Sequence, residues 1–182
     1  QESHRFKIDA VCSERAIREI YLKSFEMAVK EKTVMTLMTS YNPINGHWAA
    51  SNYDLCTTVL RGEWGYTGLV MTDWWAKMND VVEGGEESNQ DTRDMVRSQN
   101  DVYMVVNNNG AEVNSNNDNT EKSVEEGTLT VGELQRAAIN ICNVILHSQV
   151  IERELVDTDV AKYFPSVDVS EAKYQQFNLS DC

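Results

Sequence analysis

The sequence predicts an α/β fold in which parallel strands are flanked by helices. Two observations lead to this prediction. Short apolar segments of strand length alternate with amphipathic segments of helix length, and successive strands are roughly thirty residues apart. Residues 68–73 form a short apolar run that ends in a carboxylate, which is typical of a buried parallel strand emerging at the carboxyl edge of a sheet. That edge is where α/β enzymes carry their catalytic groups.

Local patterns define the individual elements. In chain order they predict a helix over residues 13–30, a strand over 33–40, a turn over 41–46, a helix from 51 or 52 to about 61, a strand over 68–73, a loop from 75 that leads to a helix near 91–98, a strand over 102–106, an Asn-rich surface loop over 107–119 and a helix from 131 to about 147. Ser13 can cap the first helix, and Thr130 with Glu133 forms a capping box for the last. Gly62 should stop the second helix. Residues 149–182 are acidic and weakly periodic, which is typical of a linker or tail.

Composition limits the classes of partner. The chain has 182 residues, of which 41% are hydrophobic and 25% charged, as in an ordinary globular domain. Its formal charge of −13 disfavours nucleic acid and anionic membrane surfaces and favours a neutral or cationic ligand. No stretch approaches the roughly 18 apolar residues of a membrane helix. Because the chain starts at Gln1 rather than Met, we expect the native start to be missing, so periplasmic, secreted and cytoplasmic locations all stay open.

No metal or cofactor site is predicted. The cysteines at positions 12, 56, 142 and 182 show no CxxC pair and no ligand spacing with the three histidines, so we expect small buried or unpaired thiols. His47 is interpreted as an ordinary loop histidine. The acidic residues near Glu83 and at Asp118 lack EF-hand spacing, and we expect them to be solvated.

Four ordered blocks carry a resemblance to a known family. They are SERAIREIYL at residues 13–22, MTSYNPING at 38–46, VLRGEWGYTG at 59–68 and TDW at 72–74. In this order and spacing they resemble the glycoside hydrolase family 3 β-glucosidases, whose barrel domain carries similar blocks. The similarity is strong from residue 1 to about residue 80, and it is weaker from there to about residue 148. It implies a partial TIM-type (β/α)8 barrel, with residues 1–148 as the C-terminal portion of the barrel domain, about its last three βα units.

The resemblance also implies a set of site residues. Asp73 matches the family's nucleophile, Trp74 the tryptophan that walls the innermost sugar site, and Tyr41 and Met38 the residues at the end of the preceding strand. From the residues alone, Asp73 could instead cap a following helix, and Trp74 and Met38 could belong to the core. Trp75 is equally compatible with core and site, and Arg5 is a weaker match.

The function implied is that of a retaining, β-glucosidase-like hydrolase acting on a β-glucoside or oligosaccharide. Such enzymes form a covalent glycosyl-enzyme on one carboxylate while a second group protonates the leaving oxygen. In the family the acid/base glutamate lies in a later α/β-sandwich domain and a Lys-His pair lies just before the segment matching Gln1, so the remaining barrel and the sandwich domain are implied partners. Two alternatives stay open: a non-catalytic carbohydrate-binding or structural module, and a piece that assembles with another chain.

Overall fold

A computed structural model describes residues 3–104 and 113–148 of the chain. Residues 105–106 of the strand predicted over 102–106, residues 107–112 of the predicted Asn-rich loop, and the predicted tail with Cys182 lie outside the described residues. The strands are β1 (Thr36–Met38), β2 (Pro43–Ile44), β3 (His47–Trp48), β4 (Leu69–Trp74), β5 (Met78–Asp80), β6 (Gly84–Ser88) and β7 (Val102–Met104). The helices are α1 (Glu14–Ala16), α2 (Lys23–Lys30), α3 (Thr92–Arg97), α4 (Thr120–Glu125) and α5 (Val131–Leu146), with π-helical segments Ile17–Tyr21 and Asp54–Glu63 and a 3-10 turn Ala49–Ser51.

The central sheet confirms the predicted α/β architecture. Its three strands run parallel in the order β1-β4-β7, so β4 is in the middle. The β4 side chains alternate: Val70 and Thr72 are buried, at 1% and 0% exposure, whereas Met71 and Asp73 lie on the more open face. Val70 packs against α2 and the segment Asp54–Glu63, as expected for a sheet whose outer face is covered by helices.

Helix positions agree with the sequence patterns, with local differences. Ser13 Oγ accepts a hydrogen bond from Ala16 N at 3.2 Å, and Asn52 Oδ1 accepts one from Leu55 N at 3.0 Å. The first helix is interrupted by the π-helical turn Ile17–Tyr21 instead of running evenly. Gly62 does not stop the second helix, which continues to Glu63. The Thr130 capping box is present: Glu133 Oε2 accepts from Thr130 N at 2.8 Å, and Thr130 Oγ1 accepts from Glu133 N at 3.2 Å.

Two small hairpins were not predicted. β2 pairs with β3 across the turn at Asn45, and β5 pairs with β6 in the region expected to be a loop. Both are held by the fully buried Asn79: its Oδ1 accepts from Trp48 N at 3.0 Å, and its Nδ2 donates to Gly46 O at 2.9 Å. The strands are too short and too polar to show an alternating pattern in sequence. Helix α4 was also missed, because it follows directly on the Asn-rich segment.

The amino ends of β4 and β7 are tied together by buried charge. Arg61 donates to Asp101 Oδ2 at 2.6 Å and to the carbonyls of Gly68 and Gln99, at 3.0 and 3.1 Å. Asp101 Oδ2 also accepts from Val70 N at 2.9 Å. This network joins the end of the helical segment Asp54–Glu63 to the start of two adjacent strands, β4 and β7. Among the described residues, no helix is both long enough and apolar enough to cross a lipid bilayer.

Candidate active site

Asp73 lies near the carboxyl end of the central strand. The side chain is half-buried, and its Oδ1 accepts a hydrogen bond from the amide of Trp74 at 2.7 Å. The chain then turns at Trp75 and enters β5, and α3 begins only at Thr92. The alternative that Asp73 caps the next helix is therefore wrong. Its second carboxylate oxygen has no hydrogen bond to a backbone amide among those described.

Tyr41, from the turn after β1, contacts the same carboxylate. Desolvation, the charge of Asp73 and a hydrogen bond to Asp73 raise the pKa of the Tyr41 phenol, while the nearby Arg5 opposes this shift. A phenol that stays protonated can donate to the carboxylate throughout the neutral range. The Tyr41 ring is held by an edge-to-face contact with Phe6 at 4.8 Å between centroids, and the Arg5 guanidinium lies over both rings. The N-terminal segment thus orients the phenol.

Two indoles follow the carboxylate. Trp74 is 40% exposed and Trp75 is 61% exposed, so neither belongs to the core. Regular alternation along β4 would bury Trp74 on the same side as Thr72, but Trp74 is exposed. Trp75 has a φ of 54°, a left-handed conformation that is unusual for a bulky side chain. The strand end therefore presents one acid and two aromatic faces to the exterior.

Met38 lies at the end of β1, beside the cluster and not in it. It pairs in register with Met71 of β4, two residues before Asp73, and it is 52% exposed, so it is not a core residue. Met38 lines an apolar cavity of about 620 Å³ between the first helix and the segment Asp54–Glu63. Asp73, Tyr41 and Trp74 do not line that cavity. The structure thus unites three of the four predicted site residues and keeps Met38 as a neighbour.

Other candidate groups are used for structure. Among residues 3–104 and 113–148, no group of three or more His, Cys, Asp or Glu side chains could hold a metal ion. His47 lies in β3, paired with Ile44. Glu87 accepts from Lys77 at 2.8 Å, and Asp118 Oδ1 accepts from Thr92 at 3.0 Å. Cys56 is buried, Cys12 is partly buried and Cys142 is exposed, and all three are free thiols.

Sequence reasoning missed two contributors to the cluster. Phe6 packs on Tyr41 although nothing in the polar N-terminal stretch marks it. Thr72 is fully buried, and its Oγ1 accepts a hydrogen bond from Met104 N at 2.8 Å, which links β4 to β7 beside Asp73. A threonine inside a strand pattern carries no signal of such a role, because β-branched residues are common in strands. A carboxylate, a phenol and an indole together can bind a sugar and attack its anomeric carbon.

Comparisons with known proteins agree with this chemistry. Residues 1–144 match the family described as "Glycosyl hydrolase family 3 N terminal domain". A β-glucosidase of Ruminococcus albus is 43% identical over 162 residues, which cover 89% of this chain and 16% of that protein. An exo-α-(1→6)-L-arabinopyranosidase of Bifidobacterium breve is 54% identical over 76 residues, or 42% of this chain and 10% of that protein.

A solved structure gives the same result in three dimensions. The crystal structure of a β-glucosidase from Paenibacillus barengoltzii superposes with a TM-score of 0.82 at 66% sequence identity, covering 85% of this chain and 17% of that one. The parallel sheet with flanking helices is thus the fold found in part of that β-glucosidase. The chain spans about a sixth of the length of these relatives.

Proposed function

Because the chain belongs to glycosyl hydrolase family 3, we propose that it supplies the catalytic nucleophile of a retaining, β-glucosidase-like enzyme, and that Asp73 is this nucleophile. One observation carries the proposal: the Asp73 carboxylate stands at the carboxyl end of the central parallel strand, hydrogen-bonded to Tyr41 and flanked by the exposed indole of Trp74. This end of the strands is where barrel enzymes hold their catalytic groups.

The reaction would follow the two-step course of retaining glycosidases. An oxygen of Asp73 forms a bond to C1 of the sugar while the bond from C1 to the leaving oxygen breaks, and that oxygen takes a proton from an acid group. Water then attacks C1, the ester to Asp73 breaks, and the same group, now a base, takes the proton of the water. In the family that the sequence resembles, the acid/base glutamate lies in a later α/β-sandwich domain, so the acid/base group is assigned to another part of the enzyme.

The neighbours of Asp73 have distinct roles in this proposal. The Tyr41 phenol donates to the carboxylate and holds one oxygen in position, so that the other can face C1. The Trp74 amide holds Oδ1 at 2.7 Å, and its indole offers an apolar face to the C–H side of a pyranose. Met38 would line the adjacent floor of the sugar site from β1.

The place of the chain in the whole enzyme is part of the proposal. We assign residues 1–148 to the last three βα units of the barrel and residues 149–182 to an acidic linker or tail. Three successive parallel strands with intervening helices support this assignment. The implied partners are the remaining barrel units, with the Lys-His pair, and an α/β-sandwich domain that supplies the proton donor.

A β-glucoside or β-linked oligosaccharide is the substrate that we favour. The relative that matches most of the chain is named a β-glucosidase, and the solved structure has the same name. The arabinopyranosidase match covers less than half of the chain. Its higher identity over that shorter stretch indicates that part of this chain is similar in enzymes named for different sugars.

Chemical rescue tests the proposal. In the complete natural protein, Asp73→Gly should abolish hydrolysis of an aryl β-glucoside, and added azide should restore release of the aryl group. Azide then takes the place of the carboxylate below C1, so the product should be a glycosyl azide with inverted configuration.

Three results would contradict the nucleophile assignment. They are full activity of the Asp73→Gly variant, a glycosyl azide of retained configuration, or an equal stimulation by azide of Asp101→Gly, the control variant, in which no rescue is expected. Binding of glucose without any turnover by the wild-type protein would favour a carbohydrate-binding module.

A further inference from the structure

The strand that carries Asp73 is bulged at that residue. From Met71 to Trp74, β4 advances three residues, while its partner β7 advances two, from Val102 to Met104. One extra residue is thus inserted in β4 opposite β7. Such bulges redirect side chains and occur beside active sites. The burial alternation of β4 also ends at the bulge, because Trp74 is exposed where Val70 and Thr72 are buried.

At the bulge, a side chain adds a hydrogen bond between the two strands. The amide of Met104 in β7 donates to Thr72 Oγ1 at 2.8 Å. Thr72 is 0% exposed, so this bond is shielded from water.

The backbone carbonyl of Met104 is held as well. Met104 O accepts from Trp75 N at 2.5 Å, and Tyr103 Oη donates to Ala76 O at 3.3 Å. Trp75 itself adopts a left-handed conformation at the end of the strand. The Asp73-Trp74 pair is therefore clamped between two hydrogen bonds to one residue of β7, and one of these two bonds depends on a side-chain hydroxyl.

We propose that Thr72 is a positioning residue for the nucleophile: its buried hydroxyl closes the β4–β7 ladder at the bulge and so fixes the direction in which the Asp73 carboxylate points. This inference rests on the proposed function, since it concerns the aim of the nucleophile. Thr72 does not touch the substrate, and its hydroxyl faces β7 and not the open side.

Removing the hydroxyl should affect the chemical step more than binding. Without the hydroxyl, the buried side-chain link between β4 and β7 is lost and the bulge can shift. A misplacement of about 1 Å at a reacting group can cost roughly a hundredfold in rate. We expect Thr72→Val, which keeps the shape of the side chain, to lower kcat for an aryl β-glucoside by about ten- to a hundredfold with little change in KM. Thr72→Ser, which keeps the hydroxyl, should restore most of kcat.

The experiment uses the complete natural protein and counts competent sites. A 2-deoxy-2-fluoro-β-glucoside releases one leaving group for each functional nucleophile, and kcat is divided by that number, so misfolded molecules do not enter the result. Thr57→Val is the matched control. Thr57 Oγ1 also makes a 2.8 Å hydrogen bond, which it donates to Ser98 O. Thr57 lies in the helical segment Asp54–Glu63 and not in the sheet. Its kcat per site should stay within about twofold of wild type, as for an independent position.

A second pair of variants covers the case in which Thr72→Val does not fold. Thr72→Cys keeps the size but offers only a weak acceptor, so Thr72→Ser should exceed it in kcat per site. Equal kcat per site for Thr72→Ser and Thr72→Cys would overturn the inference about Thr72, and so would equal kcat per site for Thr72→Val and Thr57→Val. In either case, labelling of Asp73 in the wild-type protein would still support the proposed function. A wild-type protein that is not labelled at Asp73 would overturn both.

Discussion

Two aspartates at opposite ends of the same sheet illustrate how this chain divides its tasks. Asp73, at the carboxyl end of β4, is half-buried and bonded to one phenol and one amide. Asp101, just before β7, has a fully buried side chain and is bonded to Arg61, Val70 N and Asn140. Burial raises the pKa of Asp101, although these three partners oppose the shift. The same residue type thus serves an accessible site at one end and closed packing at the other.

The two carboxylates differ in how many of their oxygens are occupied by hydrogen bonds within the protein. Both oxygens of Asp101 accept hydrogen bonds from within the sheet and from α5. Asp73 has exposed indoles beside it. A barrel enzyme separates catalysis at the carboxyl ends of its strands from stability at the amino ends. The comparison therefore predicts opposite consequences for the same substitution at the two positions.

Asp73→Asn should have the largest effect on activity. We expect hydrolysis by the complete protein to fall by at least about a thousandfold, because an amide cannot form the glycosyl ester. Stability should change by less than about 0.5 kcal/mol, since asparagine keeps an oxygen that can accept from the Trp74 amide. Steady-state kinetics and urea unfolding measure the two quantities. A variant with wild-type turnover would remove Asp73 from the mechanism.

Asp101→Asn should have the opposite profile. The substitution turns an acceptor oxygen into a donor in a buried site and removes the charge that pairs with Arg61, so we expect a loss of about 3 kcal/mol in unfolding free energy. Activity per folded molecule should be unchanged. Glu63→Gln is the control, because Glu63 pairs with Arg18 at 2.5 Å where both side chains are exposed, and its loss should cost less than about 1 kcal/mol. Equal destabilisation by both variants would show that burial of the Asp101 network is not decisive.

The tyrosines permit a similar comparison at smaller magnitude. Tyr41 donates to Asp73, whereas Tyr66 donates to Leu69 O at 3.0 Å at the other end of β4. Tyr41→Phe should lower kcat by roughly ten- to a hundredfold, the equivalent of one hydrogen bond to a charged group. Tyr66→Phe should cost about 1 kcal/mol of stability and leave kcat unchanged. An unaltered kcat in Tyr41→Phe would mean that the phenol does not orient the nucleophile.

Replacing Glu133, a carboxylate at the start of α5 and at neither end of the sheet, should have the smallest effect. Partial burial opposes ionisation of Glu133, but hydrogen bonds from the Thr130 amide and hydroxyl and from Arg97 hold its pKa below the usual value. A lowered folded-state pKa gives stability that is present above about pH 4.5 and is lost as pH falls through the folded-state value. Glu133→Gln should therefore be less stable by about 0.5 kcal/mol at pH 7, and the difference should shrink as the pH falls below about 4.5. Urea unfolding over this pH range measures the difference, and one that did not shrink with falling pH would contradict the prediction.

The sequence predicted the architecture of the sheet but not the details of its site. Strand and helix periodicity, Ser13 and Thr130 are local signals, and each corresponds to an observed element. The hairpins around Asn79 depend on contacts between residues about thirty positions apart, which leave no periodic pattern. The π-helical turns were missed because neighbouring structure and not propensity defines them.

At the site, residue types were predictable and their arrangement was not. Asp73, Trp74 and Tyr41 could be named from family blocks, and they lie together. The bulge could not be foreseen, because a register of three residues against two is a property of a strand pair and not of either strand alone. The role of Thr72 and the contact of Phe6 with Tyr41 follow from such pairings.

The most direct test of the central claim is to identify the residue that becomes covalently attached to the sugar. The complete protein is incubated with a 2-deoxy-2-fluoro-β-glucoside, digested with protease, and examined by mass spectrometry for a peptide carrying the fluoroglucosyl group. The account predicts one labelled peptide, with the ester on Asp73, and no label in Asp73→Asn. A label on any other carboxylate, or hydrolysis of β-glucosides by a protein that is never labelled, would contradict it.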